Sequence, residues 1–202
     1  MHSEILSEKQ ADFLKFLKKF SDDFGLVGGT AIAFYLGHRQ SIDFDLASPK
    51  EIKTLSIRKK ILEFGKIDAV LVDNREEYTL IVDGIKFTFF NYPFGIKFSQ
   101  DLDGTISLPD LVTLSAMKAY VLGRRAKWKD YVDLYFIAES LGSIDPIIEK
   151  SKEIFGLEFD EKKFRVQLAY FEDIDYSEKI IFMKGFEVED EKIKKKLLEY
   201  SI

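Results

Sequence analysis

The sequence contains no cysteine, only two histidines and only four prolines in 202 residues. The absence of cysteine excludes disulfides, thiolate zinc sites, iron–sulfur clusters and a cysteine nucleophile. Because His2 and His38 are the only imidazoles, a histidine-rich metal site or a Ser-His-Asp hydrolase is poorly supported. Any metal chemistry must therefore use oxygen ligands, which favours Mg²⁺ or Mn²⁺.

The chain also lacks a basic excess and a long apolar run. It has 30 Lys and Arg against 35 Asp and Glu, a net charge of −5, so contact with nucleic acid would need a local basic patch. No segment approaches the roughly 18 uninterrupted apolar residues of a membrane span, and residues 1–9 lack a signal-peptide core. We expect a soluble, cytoplasmic protein that does not contact membranes.

The hydrophobic pattern changes near the middle of the chain. Up to about residue 92, short strands alternate with helices, and Asp83-Gly84 is typical of a hairpin turn. After Pro93, helical periodicity predicts helices over 107–122, 127–141, 146–155, 161–171 and 191–200. The expected fold class is α+β, with a mixed or antiparallel sheet and flanking helices over 1–105. A helical C-terminal region over 106–202 is expected to pack on it.

Two aspartates stand two residues apart in a predicted strand. Asp43 and Asp45 then project from the same face, close enough to share one divalent cation. Phe44, together with Ile42 and Leu46, is expected to point the other way, into the core. Two neighbouring carboxylates repel each other unless a cation lies between them, and Mg²⁺ bound with substrate phosphates is the usual partner.

A glycine pair precedes the aspartates. Gly28-Gly29-Thr30 opens a short predicted helix that ends at Gly37. The glycines allow an anion to approach the backbone, and a helix N-terminus presents free N–H groups to it. A phosphate-binding turn followed by a carboxylate pair indicates nucleoside triphosphate chemistry.

These segments resemble a known family. An apolar residue and Gly28-Gly29, then 13 residues, then Asp43-Phe44-Asp45-Leu46 is similar to the signature of polymerase-β-like nucleotidyltransferases, particularly the AbiEii/AbiGii toxin family. A later helix carries Lys118, and a basic run leads into an Asp-x-x-Asp-Leu motif at 130–134, as in that family. From Lys118 to Lys129 there are five basic residues and no acidic one. The resemblance covers residues 25–48 and 115–138.

The resemblance implies a set of site residues. The nucleotide-binding candidates are Gly28, Gly29, Thr30, Arg39, Ser41 and Arg125. The catalytic candidates are Asp43, Asp45, Lys118, Asp130 and Asp133. Within these sets, backbone N–H groups of the glycine turn hold the triphosphate, and Asp43 and Asp45 bind Mg²⁺ or Mn²⁺. Lys118 neutralises phosphate charge, and either Asp130 or Asp133 completes the site, because both occupy one helix face.

One feature departs from the wider superfamily. Many polymerase-β-like enzymes carry a third carboxylate on a neighbouring strand, whereas the predicted strand over 85–91 contains no acid. The AbiEii branch tends to lack it too. The departure weakens the case for a two-metal mechanism.

The implied activity is Mg²⁺-dependent transfer of a nucleoside monophosphate from a triphosphate to an acceptor hydroxyl. By resemblance, the acceptor is a tRNA 3′ end, and the protein is a toxin whose antitoxin is encoded nearby. Two alternatives remain open. One is nucleotidylation of a small molecule or a protein, and the other is a non-catalytic nucleotide- or RNA-binding module.

Overall fold

A mixed five-stranded sheet lies at the centre of the N-terminal half. The computed structural model describes residues 1–122 and 124–202. The strands of the sheet are β1 (Gly25–Val27), β2 (Phe44–Ser48), β3 (Ile67–Asp73), β4 (Glu77–Val82) and β5 (Ile85–Asn91). Their order is β1-β2-β5-β4-β3, and β2 and β5 are parallel while the other pairs are antiparallel. The α+β prediction is confirmed.

Helices flank this sheet and make up most of the C-terminal half. They are α1 (Glu8–Phe16), α2 (Gly28–Leu36), α3 (Thr54–Leu62), α4 (Leu111–Leu122), α5 (Trp128–Leu141), α6 (Asp145–Phe155), α7 (Glu161–Leu168) and α8 (Asp190–Tyr200). A small hairpin, β6 (Gln100–Leu102) and β7 (Ile106–Leu108), joins the two halves. Both α4 and α5 contact α2. The helical region therefore packs against the helix that begins with Gly28 and Gly29. The division at 105/106 falls inside this hairpin and stays a prediction.

Phenylalanines fill one face of the sheet. Phe44 of β2 and Phe87 and Phe89 of β5 are fully buried. They pack against aromatic rings from α1 and the turn after it, with ring centroids 5.1 Å apart for Phe13–Phe87 and 4.9 Å for Phe20–Phe89. Because successive strand residues point to opposite faces, the residues between these phenylalanines face the other side of the sheet. The polar side chains of the site lie there.

Strand β2 begins later than the sequence pattern suggests. Ile42 is 67% exposed, so the prediction that it faces the core is wrong. Strand β1 has only three residues and pairs with β2 no earlier than Asp45, and the chain before Phe44 therefore has no ladder partner on that side. Instead, the Thr30 hydroxyl donates a hydrogen bond to the Asp43 carbonyl, which holds this loop over the start of α2.

Local residues define two helix ends, and the predicted end of α2 at Gly37 is confirmed. Ser7 and Gln10 form a capping box at the start of α1, and Gly37 ends α2 in the left-handed conformation with φ of 64°. In the part of the chain that the structure describes, no helix has the length and apolar character needed to cross a membrane.

Candidate active site

A cavity of about 870 Å³ brings the two sequence segments together. It lies against the polar face of β2 and β5, the start of α2 and the inner side of α4. The predicted site residues that line it are Gly28, Gly29, Thr30, Arg39, Ser41, Asp43, Asp45, Lys118 and Arg125. Asp130 and Asp133 lie behind this wall and are completely buried.

The strand aspartates face the cavity with unequal partners. Lys86 of β5 places its Nζ 2.7 Å from Asp43 Oδ2. Asp45 forms no ion pair within the described residues. Burial, and then the charge of Asp43, raise the pKa of Asp45. This carboxylate is short of positive charge.

The aspartate pair suits a hard divalent cation. Carboxylate oxygens are the ligands that Mg²⁺ and Mn²⁺ prefer. A Cβ at Gly28 would lie 2.3 Å from Asp45 Oδ2, and the φ of Gly28 is +72°, so only glycine leaves the space beside this carboxylate open. No group of three or more metal-type side chains occurs among residues 1–122 and 124–202. Substrate phosphates and water would therefore have to complete the coordination, as is usual for Mg²⁺.

The start of α2 faces the same cavity. Its first residues are Gly28 and Gly29, and no side chain of the described residues caps it. The first N–H groups of a helix have no partner inside the helix. Thr30 Oγ1 lies 2.7 Å from Ser41 Oγ, and Thr30 also bonds the Asp43 carbonyl. These hydroxyls therefore fix the loop that carries Asp43, beside an end of the helix that attracts anions.

Arg39 lies under the glycine turn. A Cβ at Gly29 would come within 2.4 Å of Arg39 Nη2, which explains the second glycine of the pair. The guanidinium makes a bidentate pair with Asp133, with Nε 2.7 Å from Oδ1 and Nη2 2.9 Å from Oδ2. Two parallel hydrogen bonds fix the plane of the guanidinium as well as its position.

Arg39 belongs to a larger group that we call the charge cluster, formed by Arg39, Lys118, Arg125, Asp130 and Asp133. Lys118 Nζ of α4 lies 2.7 Å from Asp130 Oδ1 and 3.1 Å from Asp133 Oδ2. Arg125 Nε lies 2.9 Å from Asp130 Oδ2. The one-turn spacing of the two aspartates on α5 places both against the same ammonium.

The charge cluster stays ionised and carries excess positive charge. Burial alone would raise the pKa of Asp133, but Arg39 and Lys118 hold it well below its usual range. Burial would also raise the pKa of Asp130, but Lys118 and Arg125 outweigh burial and lower it. Although burial would lower the pKa of Lys118, both carboxylates raise it. Three cations against two carboxylates leave one positive charge, and all three cations line the cavity.

His38 supports the cluster from behind. Its side chain is fully buried, and Nε2 lies 2.9 Å from Asp133 Oδ1, while Nδ1 has no hydrogen-bond partner among the residues that the structure describes. Burial lowers the pKa of His38 more than the contact with Asp133 raises it. The imidazole is therefore neutral at pH 7 and does not line the cavity, which makes it unsuited to act as a general base on a substrate.

The structure adds residues that the sequence did not single out. Glu178, in the segment between α7 and α8, accepts hydrogen bonds from Lys127 and Lys129. Burial alone would raise the pKa of Glu178, but these hydrogen bonds lower it to about 2. The same segment reaches the cavity because the Gln40 N–H donates to the Ile181 carbonyl at 2.9 Å. No local pattern marks this approach, since it joins residues distant in sequence.

Comparison with known proteins places this geometry on a known fold. No protein-family model matches the chain. An uncharacterised protein of Aquifex aeolicus is 29% identical over 156 residues, which cover 75% of this chain and 75% of that protein.

Three solved structures are similar in fold. MenT4, a nucleotidyltransferase toxin of Mycobacterium tuberculosis, has a TM-score of 0.55 at 14% identity and covers 96% of this chain and 82% of its own. The antibiotic-resistance factor ANT(2'')-Ia has a TM-score of 0.55 at 12% identity, covering 73% and 92%. A Helicobacter pylori protein described as a nucleotidyltransferase has a TM-score of 0.51 at 18% identity, covering 81% and 76%. The chain therefore has the same overall fold as these solved structures.

Proposed function

We propose that this protein is a nucleotidyltransferase that moves a nucleoside monophosphate from a nucleoside triphosphate to an acceptor hydroxyl. One observation carries the proposal: the Asp43–Asp45 pair and the cations of the charge cluster face one cavity, with the bare N-terminus of α2 beside them. Such a cavity can hold a polyanion at one end and a divalent cation at the other.

Each part of the cavity has a distinct task. Asp43 and Asp45 would hold Mg²⁺ or Mn²⁺, which when bound stabilises charge on phosphate oxygens as a Lewis acid. The first N–H groups of α2 bind the phosphates that leave as pyrophosphate. An ammonium has three N–H donors; Lys118 donates one to Asp130 and lies within ion-pair distance of Asp133. A further donor is available for a phosphate oxygen in the cavity.

The reaction itself is an in-line displacement. The acceptor hydroxyl oxygen forms a bond to the α-phosphorus, and the bond from that phosphorus to the bridging oxygen breaks. Pyrophosphate leaves with the bonding electron pair, and the hydroxyl proton passes to solvent. Fixed cations near the departing oxygens lower the barrier because they need no reorganisation when charge develops. Lys118 and Arg39 are held for this task by their buried carboxylate partners.

Asp130 and Asp133 act as positioning residues in this proposal. Neither lines the cavity and neither is exposed, so neither touches a substrate directly. Asp133 orients Arg39 and Lys118, and Asp130 orients Lys118 and Arg125. The two aspartates between which the sequence could not choose thus share one role, through different cations.

For the acceptor we propose a tRNA 3′ end, and for the biological role a toxin with a nearby antitoxin, acting in the cytoplasm. The AbiEii-like segments support this, and so does the fold likeness to MenT4, a protein named as a toxin. The likeness to ANT(2'')-Ia, an antibiotic-resistance factor, favours a small-molecule hydroxyl as the second candidate. A protein acceptor and a non-catalytic binding module remain as outcomes of the test.

Label transfer tests the function. Purified protein and Mg²⁺ are incubated with each of the four α-³²P nucleoside triphosphates and, in separate arms, total tRNA, an aminoglycoside mixture or a protein extract. We expect label on tRNA, lost in Asp43→Ala and retained in Asp73→Ala, whose exposed carboxylate lies on β3 outside the cavity. Label on a small molecule would move the acceptor assignment to the second candidate. Absence of label in every arm would contradict nucleotidyl transfer.

A further inference from the structure

Lys86 forms an ion pair with Asp43, one of the two aspartates of the cavity. It stands on β5, which runs parallel to β2 and pairs Phe87 with Phe44. Lys86 precedes Phe87 and so points to the cavity side of the sheet, and its Nζ comes within 2.7 Å of Oδ2 of Asp43, which immediately precedes β2. The side chain of Lys86 is 36% exposed and lines the cavity. Like other lysines, it is charged at neutral pH.

This ammonium changes what the aspartate pair can bind. One oxygen of Asp43 is engaged by Lys86, which leaves the other Asp43 oxygen and the carboxylate of Asp45 free as ligands. Two carboxylates and one ammonium carry one net negative charge. One divalent ion brings the local charge to one positive unit, whereas a second would bring it to three, beside a charge cluster that is already positive. Two-metal sites need the ions about 3.5–4 Å apart, and a second ion near Asp43 would meet the ammonium.

We propose that Lys86 is a positioning residue that takes the place of a second metal ion and limits the site to one divalent ion held by Asp45 and Asp43. The inference deepens the proposed function and rests on it. Lys86 holds Asp43 in place, and its fixed charge supplies part of the electrostatic stabilisation that a second ion would supply.

The proposal predicts opposite effects on binding and on turnover. Removing the ammonium in Lys86→Met also removes its repulsion of an incoming divalent ion, so the ion should bind about tenfold more tightly. Turnover should fall about 100-fold, as it does when a preorganised charge is removed from an active site. A lysine that only stabilised the sheet surface would produce neither change.

Mn²⁺ binding tests this without turnover. The full chain is titrated with Mn²⁺ alone, and electron paramagnetic resonance of free Mn²⁺ gives the number of bound ions and their affinity. We expect one ion per wild-type chain, one more tightly bound ion in Lys86→Met, and a second ion in Lys86→Glu, which adds a third carboxylate. Lys86→Arg should restore wild-type binding. The matched control is Lys19→Met, whose half-exposed lysine pairs with Glu63 away from the cavity and should leave binding unchanged.

The results separate this inference from the proposed function. Two ions of similar affinity in the wild type would overturn the role of Lys86, and so would unchanged affinity in Lys86→Met with intact circular dichroism. Either result could coexist with normal label transfer, which would leave the proposed function standing. If the wild type binds one ion and the variants behave as expected, but no label is transferred, the role of Lys86 at the metal site is supported and the proposed transfer reaction is contradicted.

Discussion

The two aspartate pairs differ in every respect except residue type. Asp43 just before β2 and Asp45 on β2 are partly exposed, and within the described residues only Asp43 pairs with a lysine, Lys86. Asp130 and Asp133 lie one turn apart on α5, are fully buried and contact three cations. The first pair has more carboxylates than cation partners, whereas the cations around the second pair outnumber its carboxylates.

This difference in charge balance separates binding from positioning. A carboxylate pair that is short of cations favours the arrival of a divalent ion. A pair saturated by cations instead orients those cations, because a buried charge is stable only with its partners in place. The pKa shifts follow: burial and Asp43 raise the pKa of Asp45, whereas Arg39 and Lys118 outweigh burial and lower that of Asp133.

The largest expected effect breaks the saturated pair. Asp133→Asn keeps the shape of the side chain but leaves Arg39 and Lys118 buried without their shared counter-charge. The free energy of unfolding should fall by about 3–5 kcal/mol, as measured by urea denaturation. Asp12→Asn is the control, because its exposed pair with Lys15 should be worth less than about 1 kcal/mol. Equal losses in the two variants would contradict the distinction between the pairs.

The next effect breaks the other pair and should change activity alone. In Asp45→Asn, label transfer should fall at least about 100-fold, because the substitution removes the carboxylate that has no ion-pair partner and would bind the divalent ion. Stability should not fall, because the substitution removes a partly buried charge that Asp43 repels. Initial rates at saturating triphosphate and urea denaturation measure the two quantities. A variant that is destabilised as much as Asp133→Asn would show that Asp45 also serves the fold.

The smallest expected effect is a difference between the wild type and Asp133→Asn in how stability depends on pH. The pKa of Asp133 is lower in the folded protein than in the unfolded chain, where it is about 3.9. Its contribution to stability is therefore complete above about pH 4 and is lost as pH falls toward the folded pKa. Below that pH, the wild type should lose stability with a slope steeper than that of Asp133→Asn by up to about 1.4 kcal/mol per pH unit.

Urea unfolding between pH 5 and pH 3 measures this slope, and Asp12→Asn should behave like the wild type. Parallel slopes in Asp133→Asn and the wild type would mean that Asp133 is not the proton-linked group.

Sequence patterns predicted the parts of the fold that depend on near neighbours. The end of α2 at Gly37 and the five C-terminal helices follow from residues within a few positions of each other. The exposed position of Ile42 could not be predicted in this way, because it depends on how short β1 is.

The site was predictable to a similar degree. Alternation in a strand placed Asp43 and Asp45 on one face, and the glycine turn indicated an anion site. The sequence did not predict a role for Lys86, because only the parallel pairing of β5 with β2 brings it to Asp43. Glu178 was missed for the same kind of reason, since it reaches Lys127 and Lys129 from a segment without a motif.

The sequence by itself determined which chemical groups this protein has for its site: oxygen ligands, a glycine turn and a run of cations, with no thiol. The tertiary structure alone decided which carboxylates keep free charge and which are neutralised. The sequence does not distinguish Asp130 from Asp133, because residues three positions apart share one face of a helix. Their roles follow from the burial and the cation partners that packing supplies, because electrostatic energy depends on distance and surroundings and not on position in the chain.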